Sequence, residues 1–500
     1  MNLVMLLEMA ADEFGERIAI TSGGQSLSFA ELRSAARAAA ERLSAADCRH
    51  AALLDTNGFA PPLLLFAAAY AGLPYVPLNY RLARGELSDL IARLAPAWLV
   101  SRPEQLERIQ LPAAIRCLEE AALLPSGGPE PASREPPADP RTIAVQLFTS
   151  GTTGKPKAAL LRHENLTSYI LGVVEFGAAS AEEANLLSVP PYHIAGVSAI
   201  LSSTYAGRRL VMLPNFDPAE WVRLALAERI THAFLVPTML LRIMDYLAEY
   251  PSVPRFPALR AISYGAGKMP LSVIERALRV FAGVDFINAY GLTETSATIC
   301  LLTPEEHRAA AASSDPKVRR RLGSVGKALP NVELAVRDAA GQTLAPGESG
   351  IIFARGAQVA GEYQGTGSLL DAAGWFATQD RGSIDAEGYV FLEGRADDVI
   401  VRGGENISPG EIEETLLAHP ALADAVAIAI PSEQWGEAVG AAVVLKSGAS
   451  VTVESLQEWV RVRLRSSRVP ERIVFRAELP YNEMGKVLRR LVRVEFEKTP

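Results

Sequence analysis

The sequence predicts an α/β protein: a large N-terminal domain of α/β sheet subdomains plus a β-subdomain, followed by a small α+β C-terminal domain. Three observations predict it. Helical and strand-like patterns alternate over residues 1–120 and again from 142 to about 300, which favours sheets covered by helices. Residues 331–392 read as short strands and turns, punctuated by Gly341, Pro346-Gly347, Gly361, Gly374 and Gly388. After Gly394-Arg395 the pattern changes again, to helix, two strands, helix and strand over 410–475. This sets the domains at 1–396, with the β-subdomain at about 325–396, and at 397–500. A chain of 500 residues is in any case too long for one core.

Ser28 as N-cap, with Glu31 three positions on, forms a capping box for a helix over 29–43. Strand-like runs follow at 51–54 and 98–100. Between them, residues 60–78 carry no charge, about the length that spans a bilayer. Gly72, Pro74 and Pro77 interrupt such a helix, so the stretch reads as a buried helix over 63–71 and a short strand at Tyr75-Val76. Six prolines from Pro125 to Pro140 mark a surface connector, and a buried strand over 142–148 comes next. Residues 305–322 read as a helix or mobile loop whose Arg319-Arg320-Arg321 triplet faces solvent. The last unit is expected as helix 410–417, strands 423–430 and 438–445, helix 453–464 and strand 472–475.

Composition excludes several classes. At 49% hydrophobic and 21% charged the chain is neither a disordered polyelectrolyte nor collagen-like. A formal charge of −8 argues against a nucleic-acid partner. Cys48, Cys117 and Cys300 lie far apart, without metal-ligand spacing or an even count, so a reduced, cytoplasmic chain is expected. Met1 to Glu8 lacks a basic leader region, so neither a signal peptide nor a transmembrane segment is expected.

The loop after the 142–148 strand carries the chemistry. Thr149-Ser150-Gly151-Thr152-Thr153-Gly154-Lys155-Pro156-Lys157 offers hydroxyls, backbone amides and lysines to phosphate oxygens. It is not a Walker loop, because Thr149 stands where that pattern needs glycine and Pro156 where it needs Ser or Thr. Nor does it have dinucleotide-binding glycine spacing.

This segment resembles the signature of the adenylate-forming (AMP-binding) enzymes, in their acyl-CoA and aryl-CoA synthetase branch. The resemblance runs over nearly the whole chain. Tyr290-Gly291-Leu292-Thr293-Glu294 is similar to the family's second signature and Gly394-Arg395-Ala396-Asp397-Asp398 to its hinge. Gly403-Gly404-Glu405-Asn406-Ile407-Ser408-Pro409 and Met484-Gly485-Lys486-Val487 resemble two C-terminal segments. It implies an acyl-CoA synthetase that activates an apolar carboxylic acid with ATP and Mg²⁺ and passes the acyl group to coenzyme A. It also implies that the C-terminal domain moves.

The resemblance assigns roles residue by residue. Lys486 would bridge the carboxylate and the α-phosphate. Glu294 would hold Mg²⁺, and Thr293 would donate to a phosphate oxygen. Tyr290 would stack on adenine, in a nucleotide site that also takes Asn288, Ala289, Gly291, Gly265 and Ala266. Asp380 and Arg395 would meet the ribose. His193 would gate the carboxylate, and Val197, Val236, Tyr264, Gly265 and Ala289 would line the acyl pocket. Gly403, Gly404, Trp435 and Arg468 would meet CoA, with Asp397 as the hinge. The histidines at 50, 163, 232, 307 and 419 show no ligand spacing.

Two departures shape the alternatives. Ala158 and Gln379 stand where the family keeps glycine, so each would add a side chain near the phosphates or ribose. One alternative is therefore an enzyme of the thioester-forming half only, taking acyl-adenylate from a separate adenylating enzyme. Another loads a carrier protein instead of CoA. A third is a non-catalytic nucleotide-binding protein. The segment Tyr192 to Gly196 contains no acid, which argues against an amino-acid substrate.

Overall fold

The computed structural model describes residues 1–107, 109–124, 139–149, 156–252, 255–267, 269–403, 405–482 and 485–498. The prolines of the connector from 125 to 137 lie outside them. Four sheets organise the described residues.

The first large sheet has the strand order Gly367–Ser368, Glu362–Tyr363, Lys157–Arg162, Ile143–Thr149, Tyr75–Pro77, His50–Leu54, Ala97–Ser101, Ile115–Glu119. The second runs Lys327–Ala328, Ala297–Leu302, Asp285–Leu292, Ala261–Gly265, His232–Leu235, Ala184–Leu187, Arg209–Met212, Ile18–Ser22, Gln25–Ser28. Both are parallel at their centres, as strand–helix alternation requires. One continuous core joins them.

The uncharged stretch is settled by burial. The helix Ala60–Ala71 is buried all round, packed on the helix Phe29–Ser44 and the strand His50–Leu54. It starts three residues earlier than expected, because Pro61 and Pro62 occupy its first turn, where no amide hydrogen is needed. Among the described residues no helix is long and apolar enough to cross a membrane. The capping box at Ser28 and Glu31 forms as read, with both reciprocal hydrogen bonds.

The β-subdomain is less separate than expected. Four strands, Glu333–Arg337, Gly350–Arg355, Phe376–Ile384 and Val390–Arg395, make its sheet. The intervening Glu362–Tyr363 and Gly367–Ser368 leave it and extend the first large sheet, Tyr363 pairing with Ala159. Lys327–Ala328 joins the second. The arginine triplet faces solvent as expected, with Arg319 and Arg320 exposed and Arg321 half-buried, but it is not without partners. Arg319 pairs with Glu275, Arg320 lies 4.2 Å over the Phe391 ring, and Arg321 reaches Glu387 at 2.8 Å. These contacts fasten the 316–323 helical turns to their neighbours.

The C-terminal residues form their own sheet around the long pair Leu422–Ser432 and Gly436–Leu445, with helices on both faces. The parallel strand Arg472–Arg476 completes it.

Candidate active site

The strand Ile143–Thr149 delivers the chain to the Ser/Thr/Gly loop. Ser150, Gly151, Thr152, Thr153, Gly154 and Lys155 lie outside the described residues. The two ends of the loop are held by a residue the motif does not contain. Arg93 donates to the Pro156 carbonyl at 3.2 Å and lies 5.2 Å over the Phe148 ring. It thus spans from just before the loop to just after it.

The second signature ends a central strand. The buried Tyr290 donates its hydroxyl to Asp380 Oδ2 at 2.6 Å. Arg395 donates to Asp380 Oδ1 at 3.1 Å and to the Thr378 carbonyl at 3.1 Å. Two donors, Tyr290 from the second large sheet and Arg395 from the neighbouring strand, therefore meet on one carboxylate. Burial, and then the Asp380 charge, push the Tyr290 hydroxyl far above its ordinary range, so it stays a donor.

Beyond Gly291 the chain makes a short 3₁₀ turn, Thr293–Thr295. Thr295 closes it by accepting from the Leu292 amide at 3.0 Å. Ser296 and Ala297 follow with φ of 56° and 105°, a strained exit of the kind that clusters at functional sites. The turn leaves Thr293 half-buried and Glu294 buried. The Glu294 backbone carbonyl accepts from the Ala360 and Gly361 amides at 2.9 and 3.0 Å. Its carboxylate accepts from the Tyr363 hydroxyl.

His193 precedes the helix Ile194–Ala206 and packs its ring 4.6 Å from that of Tyr192. Val197 on that helix and Val236 at the end of the next-but-one strand are fully buried. Gly265 is small for a reason other than ligand approach, since a Cβ there would overlap the Ala289 carbonyl of the neighbouring strand. Phe234 lies 3.7 Å from the same position. It is half-buried and was not singled out from sequence. Tyr264 belongs to the core and not to a pocket surface. Its hydroxyl is 3.0 Å from His307 Nε2, and its ring faces Phe286 at 6.4 Å. Along a strand, neighbours point to opposite faces, so Tyr264 and Gly265 cannot both face one side. Asn288 is likewise committed, donating to the Ser324 carbonyl at 3.0 Å.

The C-terminal lysine segment is docked on the large domain. Asn482 and Lys486 bracket a tight hairpin, with Lys486 N donating to Asn482 Oδ1 at 2.8 Å. At its tip Gly485 has φ of 68° and touches Thr238, so closely that a Cβ would overlap the threonine hydroxyl. Thr238 stands two residues after Val236, in the first turn of the helix Pro237–Glu249. Lys486 is exposed beside it.

The second C-terminal turn is tied to its own domain. The Gly403 amide donates to the Trp435 carbonyl at 2.9 Å, and a Cβ on Gly403 would lie 2.8 Å from the indole. Arg402 lies 5.0 Å over that ring. Arg468 pairs with Glu405, and with Glu411 at 3.4 Å. Gly404 and the Asp397 side chain lie outside the described residues.

Among the described residues, neither departure from the family pattern touches the Tyr290–Asp380–Arg395 cluster. Ala158 is buried within the sheet, paired with Phe148, and its carbonyl accepts from Gln364 N at 2.9 Å. Gln379 is exposed and its backbone sits in the left-handed region, φ 62°. That conformation explains why glycine suits the position. Asp380 keeps both its donors all the same.

Comparisons with known proteins agree with this arrangement. Residues 7–364 match the family model described as AMP-binding enzyme, and residues 411–486 match the AMP-binding enzyme C-terminal domain. A feruloyl-CoA synthase from an Amycolatopsis species is 32% identical over 96% of each chain. An indoleacetate–CoA ligase from Aromatoleum aromaticum is 31% identical, over 95% of this chain and 94% of that one. The solved o-succinylbenzoate CoA synthetase from Bacillus subtilis, in complex with its acyl-adenylate intermediate, superimposes with a TM-score of 0.83. It is 28% identical and covers 98% of this chain, which covers 97% of it. The buried Tyr290–Asp380–Arg395 cluster, the docked Gly485-Lys486 hairpin and these matches lead to one conclusion: the chain belongs to the AMP-binding enzyme family, in its acyl-CoA synthetase branch.

Proposed function

We propose that the enzyme activates an apolar aromatic carboxylic acid as its acyl-adenylate and then transfers the acyl group to coenzyme A. The observation that carries this reading is the docked hairpin. It brings Lys486 of the small domain to the helix that begins beside Val236, while Tyr290, Asp380 and Arg395 gather on the large domain.

A carboxylate is a poor electrophile, and its attack on the α-phosphorus of ATP joins two anions. Lys486 supplies a cation to the charge that builds between them. The carboxylate oxygen bonds to phosphorus as pyrophosphate leaves. The thiol of CoA then attacks the acyl carbon and AMP departs. Tyr290 presents its ring to adenine, Asp380 accepts from the ribose hydroxyls, and Thr293 with the 149–155 loop holds the phosphates.

Glu294 suits a Mg²⁺ that is bound mainly through phosphate oxygens. Among the described residues no group of three His, Cys, Asp or Glu side chains could hold a metal by itself. Magnesium is usually held by one or two carboxylates plus substrate phosphates. Bound there, the ion would neutralise the leaving pyrophosphate.

An apolar acid is supported by the half-buried Phe234 beside Gly265 and by the 192–196 segment, which brings no charge; Val197 and Val236, like Tyr264, are fully buried. The aromatic class is supported by relatives named for feruloyl and indoleacetate substrates. CoA is favoured over a carrier protein as acceptor on the same ground, with the exposed Trp435 available to the nucleotide end. The free cysteines fit a cytoplasmic enzyme.

The test is a panel of aryl acids assayed by pyrophosphate release with and without CoA, and by thioester formation with CoA against a phosphopantetheinyl carrier. Pyrophosphate release by no aryl acid would sink the substrate class. A thioester on the carrier alone would replace the acceptor.

A further inference from the structure

Tyr363 belongs to none of the motifs singled out from sequence, yet the structure places it between two of them. It lies on the two-residue strand Glu362–Tyr363, hydrogen-bonded beside Ala159 on the strand that leaves the phosphate loop. Its hydroxyl donates to Glu294 Oε1. Thr149, at the entry to the loop, donates its hydroxyl to the Lys157 carbonyl at 3.4 Å. Lys157 Nζ, two residues beyond the loop, stands 5.9 Å from the centre of its ring.

The backbone around Tyr363 repeats this connection. Ala360 and Gly361 donate to the Glu294 carbonyl, and Gln364 donates to the Ala158 carbonyl at 2.9 Å. One five-residue run thus grips Glu294 at its backbone and its carboxylate, and is itself zipped to the loop's exit strand.

We infer that Tyr363 is a positioning residue for the magnesium–nucleotide complex: it fixes the Glu294 carboxylate before the nucleotide arrives. A free glutamate side chain samples many rotamers, and ordering it on binding opposes binding. The tyrosine removes that cost beforehand. Its single hydroxyl engages one carboxylate oxygen and leaves the other to a cation. Partners that orient metal ligands in this way typically change metal affinity by about ten- to a hundredfold when removed.

The inference rests on the reading of Glu294 as the magnesium ligand. The test is calorimetric titration of ATP into wild type and Tyr363→Phe, with no acid present, in excess Mg²⁺ and again in EDTA. Phenylalanine keeps the ring beside Lys157 and removes only the hydroxyl. Affinity in Mg²⁺ is expected to fall about tenfold or more, with affinity in EDTA unchanged. Adenylate formation should fall with it, whereas thioester formation from supplied acyl-adenylate should persist. Equal affinity in Mg²⁺, or equal losses with and without it, would overturn the inference, as would equal loss of both half-reactions. Wild type whose ATP affinity ignores Mg²⁺ would instead overturn the reading of Glu294.

Discussion

Arg395 and Asp398 stand three residues apart and are fastened to opposite domains. Arg395 is held by Asp380 of the large domain at 3.1 Å. Asp398 is held by Arg489 of the small domain at 3.2 Å, and Arg489 in turn grips Glu413 and the Ala427 carbonyl. Only Ala396 and Asp397 lie between the two anchors. Any rotation of the small domain must be absorbed there.

This sets the first prediction. The docked hairpin presents Lys486 to the large domain, while the Gly403 turn is packed on Trp435 within the small one. Bringing that turn to the site requires the small domain to turn over, as domain closures at a few hinge residues do. Proline at 397 fixes φ. Asp397→Pro is expected to retain adenylate formation and lose thioester formation. Wild-type rates in both halves would rule out Asp397 as the pivot.

Lys486→Ala should lower adenylate formation by two decades or more, roughly 3 kcal/mol at 1.36 kcal/mol per decade. Thioester formation from supplied acyl-adenylate should survive. Gly485→Ala should behave similarly with the lysine intact, because a methyl there displaces the hairpin from Thr238. Separate rates for the two half-reactions check both variants, and parallel losses would contradict the assignment.

Gln379 carries strain without a contact that explains it. A non-glycine residue in the left-handed region costs about 1–2 kcal/mol, so Gln379→Gly should raise stability by about 1 kcal/mol. Since Asp380 already receives Tyr290 and Arg395, adenylation should change little. Denaturant midpoints and pyrophosphate release measure the two effects. A large gain in adenylation would show that the glutamine obstructs the ribose after all.

His163 governs acid stability. It is buried, accepts from the Leu3 amide at 3.3 Å, and is drawn down to about 4 by burial and then by the chain's amino terminus. An unfolded histidine titrates near 6.5. Its folded value is lower, so its contribution is full above about pH 6.5 and is lost as pH falls towards 4. His163→Asn keeps an acceptor but cannot ionise. The variant should lose less stability than wild type between those pH values. Parallel urea-midpoint curves would refute this.

The parts of the site legible in sequence are those whose chemistry is local. Tyr290, Glu294 and Lys486 sit in short runs, and the capping box at Ser28 is complete within four residues. The unread parts are contacts across the chain. Tyr363 meets Glu294 over a separation of 69 residues, and Arg93 meets Pro156 over 63. No spacing rule reaches that far. Gly265 shows a subtler gap, since its small size was legible but not the carbonyl that demands it. The same holds for Gln379, where a φ of 62° is a property of the bulged strand and not of the side chain. The β-subdomain boundary blurred because short strands give no sign of which sheet they will join.

Those exchanged strands have a mechanical consequence. Tyr363 is stitched to Ala159, Lys327 to Leu301, and Val325 and Gly326 to Val390. The last of these joins two sheets, so the four-stranded sheet cannot slide against the second large sheet without breaking backbone hydrogen bonds. Such a chassis transmits torque instead of dissipating it. A turn of the small domain would therefore be taken up at Ala396 and Asp397, between the Arg395 and Asp398 anchors.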